Sequence, residues 1–239
     1  VDRVLEYAFS VFAQIRRHRP DAQVVGDTCS VYSRFVLREL PLTTNWLRRL
    51  WIRLRGWKKM RQEAVLTSKA DVVTAVSAVD ADYFRSIACD PTRIKLFSNV
   101  VDLADFCQKG SDAITLHQPC VLLLGSYGHP SSPMDRAAVW LAQDIMPLVL
   151  QEVSNAHLYI IGRNADWSQR GLVSNSVTVI GQVPSMVPFL RQAAATLVPL
   201  KFESGTRFKI LESGAASVAC ISTTLGAEGI RVTDGENIL

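Results

Sequence analysis

The sequence predicts an α/β chain built as two doubly wound units, and three observations carry that reading. Short apolar strands alternate with longer helical patterns almost from end to end. The strands are unbroken, β-branched apolar runs rather than alternating ones, which suits parallel strands covered by helices on both faces. A polar stretch between Asp102 and Gln118, centred on Gln108-Lys109-Gly110-Ser111-Asp112, separates three such strands from five. At 239 residues with 48% hydrophobic content, the chain can bury one or two cores.

Taken in order, a helix is predicted over Val4–Arg17, then strands at Gln23–Gly26, Asp71–Val76 and Ile94–Ser98. The polar stretch follows as a linker, giving predicted domains 1–112 and 113–239. The second domain opens abruptly with a strand at Cys120–Leu124, followed at once by Gly125-Ser126 and a helix, the opening of a nucleotide-binding unit. Ser132-Pro133-Met134-Asp135 signals that helix: a cap serine, proline at the first helical position and an acid placed for a capping box. Ala138, Leu141, Ile145 and Leu148 form its apolar stripe, with a kink expected at Pro147. Strands follow at His157–Ile161, Val177–Ile180, Ala195–Leu200 and Val218–Ile221. No strand precedes the first helix, and an element is beginning where the sequence stops at Leu239. The expectation is a longer protein, with a first domain short of its opening strands and a second short of its closing helices.

Several chemistries are disfavoured. The five cysteines, Cys29, Cys89, Cys107, Cys120 and Cys220, are scattered without a CxxC pair, and are expected to be buried thiols in a reducing, cytoplasmic setting. No apolar run approaches a bilayer span. The histidines His18, His117, His129 and His157 assemble no ligand set. Asp80-Ala81-Asp82 has the spelling of a divalent-metal motif, but Ser77 three residues before Asp80 makes it a helix cap, so no metal is expected. Walker, nucleophile-elbow and Gly-x-Gly-x-x-Gly runs are missing from the sequence.

The densest signal runs from Val198 to Ala215. A strand ends, a loop carries Glu203-Ser204-Gly205, and a helix is predicted from near Thr206. A helix N-terminus offers unpaired N–H groups and a positive dipole end to an anion such as a diphosphate. Lys209 and Glu212 lie three apart on one helical face, where a cation can meet phosphate and a carboxylate can accept ribose hydroxyls. An ordinary exposed ion pair fits the same spacing. Arg207 falls on a different face, and Glu203 points either into the site or to water.

Pro199-Leu200, Ser204-Gly205-Thr206-Arg207, Lys209-Ile210-Leu211-Glu212, Thr223–Gly229 and Asp234–Asn237 together resemble the family 4-like retaining glycosyltransferases of the GT-B architecture, two Rossmann-like domains facing across a cleft. Leu123–Ser126, Ile160–Arg163, Ile180–Pro184, Ala70–Ser77 and Ser98–Asp102 are similar to the same family, in consistent order. The resemblance implies transfer of a sugar from a nucleotide-diphosphate sugar to a polysaccharide, glycan or lipid-linked acceptor, with retention and without a cofactor. It implies that Glu212 holds the donor ribose, that Gly205 runs beside sugar and diphosphate, that Gly125 and Ser126 give backbone contacts, and that Gln182, Val183 and Pro184 border the base. The candidate catalytic set is Glu203, Lys209 and Glu212. The donor-binding set is Gly125, Ser126, Arg163, Gln182, Val183, Ser204, Gly205, Thr206, Arg207, Lys209 and Glu212. Ser204 stands where the family often carries a glutamate, and Cys29 and Ser30 stand where it carries a first-domain histidine or acid. A non-catalytic sugar-nucleotide-binding module is the alternative.

One further segment stands apart. Asn45–Arg61 holds seven basic residues and three of the five tryptophans, with no acid before Glu63. As a helix, Leu47, Leu50, Trp51, Leu54, Trp57 and Met60 form an apolar stripe, although Gly56 counts against an unbroken helix. Either the stripe packs on the first domain's sheet, or Trp46–Arg61 lies peripherally on an anionic membrane surface, with the protein otherwise a scaffold or enzyme at the inner face. Nucleic-acid binding is not expected from one short basic helix.

Overall fold

The computed structural model describes residues 4–107 and 114–239. The predicted boundary at 112/113 lies outside the described residues. The chain divides into two compact units. The first comprises residues 4–99 with Phe202–Thr206 and Glu228–Ile230; the second comprises the described part of 100–201 with Arg207–Ala227 and Arg231–Leu239.

In the first unit the order is α1 (Val4–His18), β1 (Val25–Thr28), α2 (Tyr32–Leu37), α3 (Trp46–Lys69), β2 (Val72–Ala75), α4 (Ala78–Ile87) and β3 (Ile94–Leu96). The three strands form a parallel sheet in the order β1-β2-β3. β1 starts two residues later than its apolar run predicts, because the Val24 N–H donates to the Asp71 carboxylate (2.7 Å) instead of joining a ladder. Val73, Ala75, Ala81, Phe84 and Ile94 build the core with Val31. The Ser77 hydroxyl accepts from the Asp80 N–H (3.1 Å) and donates to its carboxylate (2.9 Å), so Ser77 caps the helix as the sequence predicts and Asp80 holds the cap hydroxyl.

α3 is a single helix of 24 residues, unbroken at Gly56. Gly56 is where α2 comes closest: a Cβ there would lie 2.4 Å from Leu37 Cδ2. The buried face of α3 is Ile52, Gly56, Lys59, Glu63, Leu66 and Thr67. Leu47, Leu50, Trp51, Leu54 and Trp57 are exposed on the other side, so the stripe does not pack on the sheet. Glu63 explains how a charged residue serves the core face. Its carboxylate accepts from the Ser33 N–H (3.0 Å), the Ser33 hydroxyl (2.5 Å) and the Tyr83 hydroxyl (3.0 Å).

The second unit continues with α5 (Leu103–Cys107), β4 (Cys120–Ser126), α6 (Pro133–Trp140), α7 (Met146–Glu152), β5 (His157–Arg163), α8 (Ala165–Ser168), β6 (Val177–Ile180), α9 (Val187–Leu190), β7 (Ala195–Val198), α10 (Phe208–Ala215) and β8 (Ala219–Ser222). Between α6 and α7 the chain stays helical but widens to a π turn over Leu141–Ile145, just before Pro147. A proline lacks the N–H for an i→i−4 bond and its ring presses on the preceding turn, so the helix widens there. The five strands are parallel in the order β6-β5-β4-β7-β8. Leu122, Leu124, Tyr159, Ile161, Phe189 and Leu190 are the centre of the core. Of the described cysteines, Cys120 and Cys220 are buried, but Cys29 and Cys89 are exposed, against the expectation of buried thiols throughout.

Candidate active site

The strand order of the second unit reverses at β4: β5 and β6 lie to one side, β7 and β8 to the other. Consecutive crossovers therefore run to opposite sides, and the carboxyl ends of β4 and β7 are the topological switch point where α/β sheets receive ligands. The register differs on the two sides of this point. β4 pairs with β5 along its whole length, from Cys120↔His157 to Ser126↔Arg163. With β7 it pairs only at Val121↔Ala195 and Leu122↔Thr196. Beyond Leu122 the ladder between the two strands stops, and β4 runs on to Gly125-Ser126 paired with β5 alone.

Two glycines shape the β4 side. Gly162 has φ +141°, and a Cβ on it would lie 1.8 Å from the Gly125 carbonyl oxygen, so no side chain fits. Gly125 is itself filled over by Met134: a Cβ would approach Met134 Cε to 2.5 Å. The Lys209 ammonium donates to Met134 Sδ at 3.0 Å, bringing the first turn of α10 against the first turn of α6. Gly125, Met134 and Lys209 thus form one group although they come from separate segments of the sequence. Ser126 and Arg163 are exposed at the ends of β4 and β5.

α10 begins at Phe208, two residues after the sequence reading, because Arg207 is extended (φ −103°, ψ 103°) and serves as the N-cap. No cap side chain occupies the first-turn N–H groups. Arg207 is buried and donates from Nη2 to the Leu225 carbonyl (3.2 Å), tying the cap to the loop after β8. Lys209 and Glu212 are both partly buried on α10. Burial pushes the Glu212 carboxyl above its ordinary range, and the nearby Lys209 charge pulls it only partly back. Gln182 is exposed after β6, whereas Val183 packs on the core.

The loop after β4 is anchored by Asp135, which the sequence marks only as a helix-cap acid. Its carboxylate accepts from the Gly128 N–H (3.2 Å), the Ser132 hydroxyl (2.5 Å), the Ser168 hydroxyl (2.6 Å) and the Gln169 amide (2.6 Å). Burial raises its pKa, but the hydrogen bonds from Ser132, Ser168 and the Gly128 and His129 N–H groups outweigh that and hold it below the usual 3.8.

Glu203, Ser204, Gly205 and Thr206 group with the first unit. The buried Ser204 hydroxyl accepts from the Val31 N–H (2.7 Å), and the Ser30 hydroxyl donates to the Ser204 carbonyl (3.4 Å). Gly205, at φ +80°, passes so close to the Cys29 carbonyl that a Cβ would lie 2.2 Å from its oxygen. Glu203 accepts the Ser204 N–H on its carboxylate (3.0 Å) and Arg38 Nη1 on its carbonyl (2.6 Å). Arg34 and Arg38 both hold Glu228, at 2.9 and 2.6 Å. Thr206 takes a hydrogen bond from Asn99. The first unit also contains a cavity of about 180 Å³ at the carboxyl end of β1, lined by Ala8, Phe12, Asp27, Cys29, Tyr32 and Leu66 among others. The sequence places Cys29 near a site but gives no sign of Ala8 and Phe12, which reach it from α1.

Among the described residues no three His, Cys, Asp or Glu side chains are grouped to hold a metal ion. Asp80 is spent on its helix cap, and Asp82 pairs with Arg85 at 2.7 Å.

The fold has known counterparts. It is similar to that of Anabaena HepE, solved with UDP and glucose (TM-score 0.63, 13% identity, covering 95% of this chain and 59% of that one). WaaG, a glycosyltransferase involved in lipopolysaccharide biosynthesis, is also similar (TM-score 0.61, 16% identity, 92% and 64% covered). So is sucrose-phosphate synthase from Thermosynechococcus elongatus (TM-score 0.63, 17% identity, 90% and 53% covered). The chain thus spans less than two thirds of each, and the likeness is one of GT-B fold. No curated protein matches the sequence. The family model described as "Glycosyl transferases group 1" matches residues 118–239, just over half of the chain, and the protein therefore belongs to the group 1 glycosyl transferases.

Proposed function

We propose that the protein transfers a sugar from a nucleotide-diphosphate sugar to a polysaccharide, glycan or lipid-linked acceptor, without a divalent metal and with retention. In this reading 113–239 is the donor domain and 1–112 the acceptor domain. The observation that carries it is the carboxyl end of β4 at the switch point, where Gly125, Met134 and Lys209 from the first turn of α10 meet, with Glu212 near the Lys209 charge. Backbone N–H groups and a lysine there would meet the charge that develops on the leaving diphosphate, the task a metal performs elsewhere. Glu212 would accept the ribose hydroxyls, Gln182 and Val183 would border the base, and Arg163 and Arg207 would add positive charge. HepE solved with UDP and glucose supports the choice of donor class. The β1 cavity, with Asp27 and Cys29 at its wall, supports assigning the acceptor to the first unit.

Calorimetric titration with UDP, GDP and ADP and the matching nucleosides tests this reading. Losing one charge-assisted bond to a ribose hydroxyl in Glu212→Gln removes about 1.5–3 kcal/mol, so affinity for the best diphosphate should fall by about one to two decades. Lys209→Ala should weaken the diphosphate more than its nucleoside, since only the diphosphate carries the charge. Unchanged affinities in variants that melt like the parent would refute the assignment.

A further inference from the structure

The face of α3 that the structure leaves uncovered is the apolar one. Trp46, Leu47, Leu50, Trp51, Leu54 and Trp57 are each 48–70% exposed, while Ile52, Gly56, Lys59, Glu63 and Leu66 turn inward. At about 100° per residue these six side chains fall within an arc of roughly 140°. Arg53 stands at one edge of that arc and Arg55 at the other, and Lys58 and Arg61 continue it toward the C-terminal end. Arg55 lies over the Trp51 ring at 4.2 Å and Arg61 over the Trp57 ring at 4.3 Å. Exposing this much apolar surface to water is costly, and a soluble helix face seldom carries three tryptophans in register.

We propose that α3 docks the protein on a phospholipid bilayer bearing anionic headgroups, lying in the interface plane rather than across it. Charge complementarity selects this occupant. Of the seven basic residues between Asn45 and Arg61, Lys59 turns inward and Arg48 pairs with Glu39. Arg53, Arg55, Lys58 and Arg61 flank the stripe and that segment holds no acid, so the ridge seeks a negatively charged surface. The ridge is a single convex helix, which suits a flat, deformable surface better than a preformed protein groove. Tryptophan rings settle at headgroup depth, with the leucines reaching the acyl boundary and the arginines on the phosphates. No helix among the described residues is long and apolar enough to cross a membrane, in keeping with a surface-lying segment. The docking does not depend on the sugar-transfer reading, because it is measured without turnover.

The test is flotation of the full chain with phosphatidylcholine vesicles, with and without phosphatidylglycerol, at low and high salt, alongside tryptophan emission. The expected result is binding to the anionic vesicles alone, a blue-shifted emission on binding, and release as salt rises. Each basic residue near an anionic surface is worth about fivefold in partitioning, so Arg53→Glu/Lys58→Glu/Arg61→Glu should bind at least roughly hundredfold more weakly. Trp46→Ser/Trp51→Ser/Trp57→Ser should abolish the blue shift. All six positions are outside the buried face, and unchanged circular dichroism and nucleotide affinity would show that the fold persists. Equal binding to both vesicle types, or no flotation of the parent chain, overturns the proposal. So does concentration-dependent self-association in lipid-free sedimentation that the tryptophan variant abolishes, which would assign the stripe to a second copy.

Discussion

Asp135 shows how much one side chain can settle. Only 2% of it is exposed, yet its carboxylate collects hydrogen bonds from the loop after β4, from Ser132 at its own helix start and from Ser168 of α8. Asp135→Asn keeps the shape but loses the charge and presents N–H groups to donors. Charge-assisted bonds contribute about 1.5–3 kcal/mol each and do not add fully, so a loss of about 2–4 kcal/mol is expected in urea unfolding. The pH dependence has a definite sign. The folded-state pKa is depressed, so the carboxylate's contribution is present above the unfolded value and is lost as pH falls through it, below about 4. Wild type should therefore lose more stability than Asp135→Asn between about pH 5 and pH 3; parallel curves would show that Asp135 is not the anchor. The sequence reveals Asp135 as a cap because Ser132-Pro133 lies beside it. Ser168 and Gln169 are thirty-odd residues away, and only the fold brings them in. That Lys209 and Glu212 share one helix was legible from their spacing, whereas the Met134 contact was not, being another such long-range meeting.

At the scale of elements, strands were the most legible part of the chain. His157–Ile161 is buried throughout and Val177–Ile180 is a β-branched run on the edge strand of the same sheet, and both form strands where expected. Helix α3 was legible as a helix but not in its orientation. Its apolar residues suggest the wrong face, because the packed side contains Gly56, Lys59, Glu63 and Thr67, residues that a hydrophobicity pattern assigns to water. Their burial depends on partners in other elements, Ser33 and Tyr83 for Glu63 and Leu37 for Gly56. The Gly56 contact makes its own prediction. Alanine there gains about 1 kcal/mol of helix propensity but overpacks Leu37, at a cost of about 1–3 kcal/mol. Gly56→Ala should thus be destabilising by about 1 kcal/mol, and Leu37→Ala should turn the same change into a gain. A double-mutant cycle in urea reads this directly; additive effects would mean that the two residues do not touch.

Across the whole molecule, the two units are unequally built. Strands β5 and β7 are buried along nearly their full length, and β4 and β5 each have a hydrogen-bonded neighbour on both sides. In the first unit β1 and β3 are edge strands of three or four residues, with Val25 and Leu96 exposed. Stability follows buried apolar area and shared hydrogen bonds, so the second sheet should open last. Native-state hydrogen exchange should find the slowest amides at Leu122–Leu124 and Leu158–Ile161, with β1 and β3 exchanging well before them. Nucleoside diphosphate sharpens the expectation. A ligand held at one hundred times its Kd stabilises the state that binds it by about 2.7 kcal/mol, which slows exchange through global opening about a hundredfold. If the donor is held at the carboxyl end of β4, that slowing should appear in β4, β5 and β7, and Lys209→Ala should remove most of it at the same nucleotide concentration. The β2 amides, in a sheet that does not contain the donor groups, should change far less. Slowing spread evenly over both sheets would show that the units open as one, and slowing confined to β1 and β2 would move the nucleotide to the first unit.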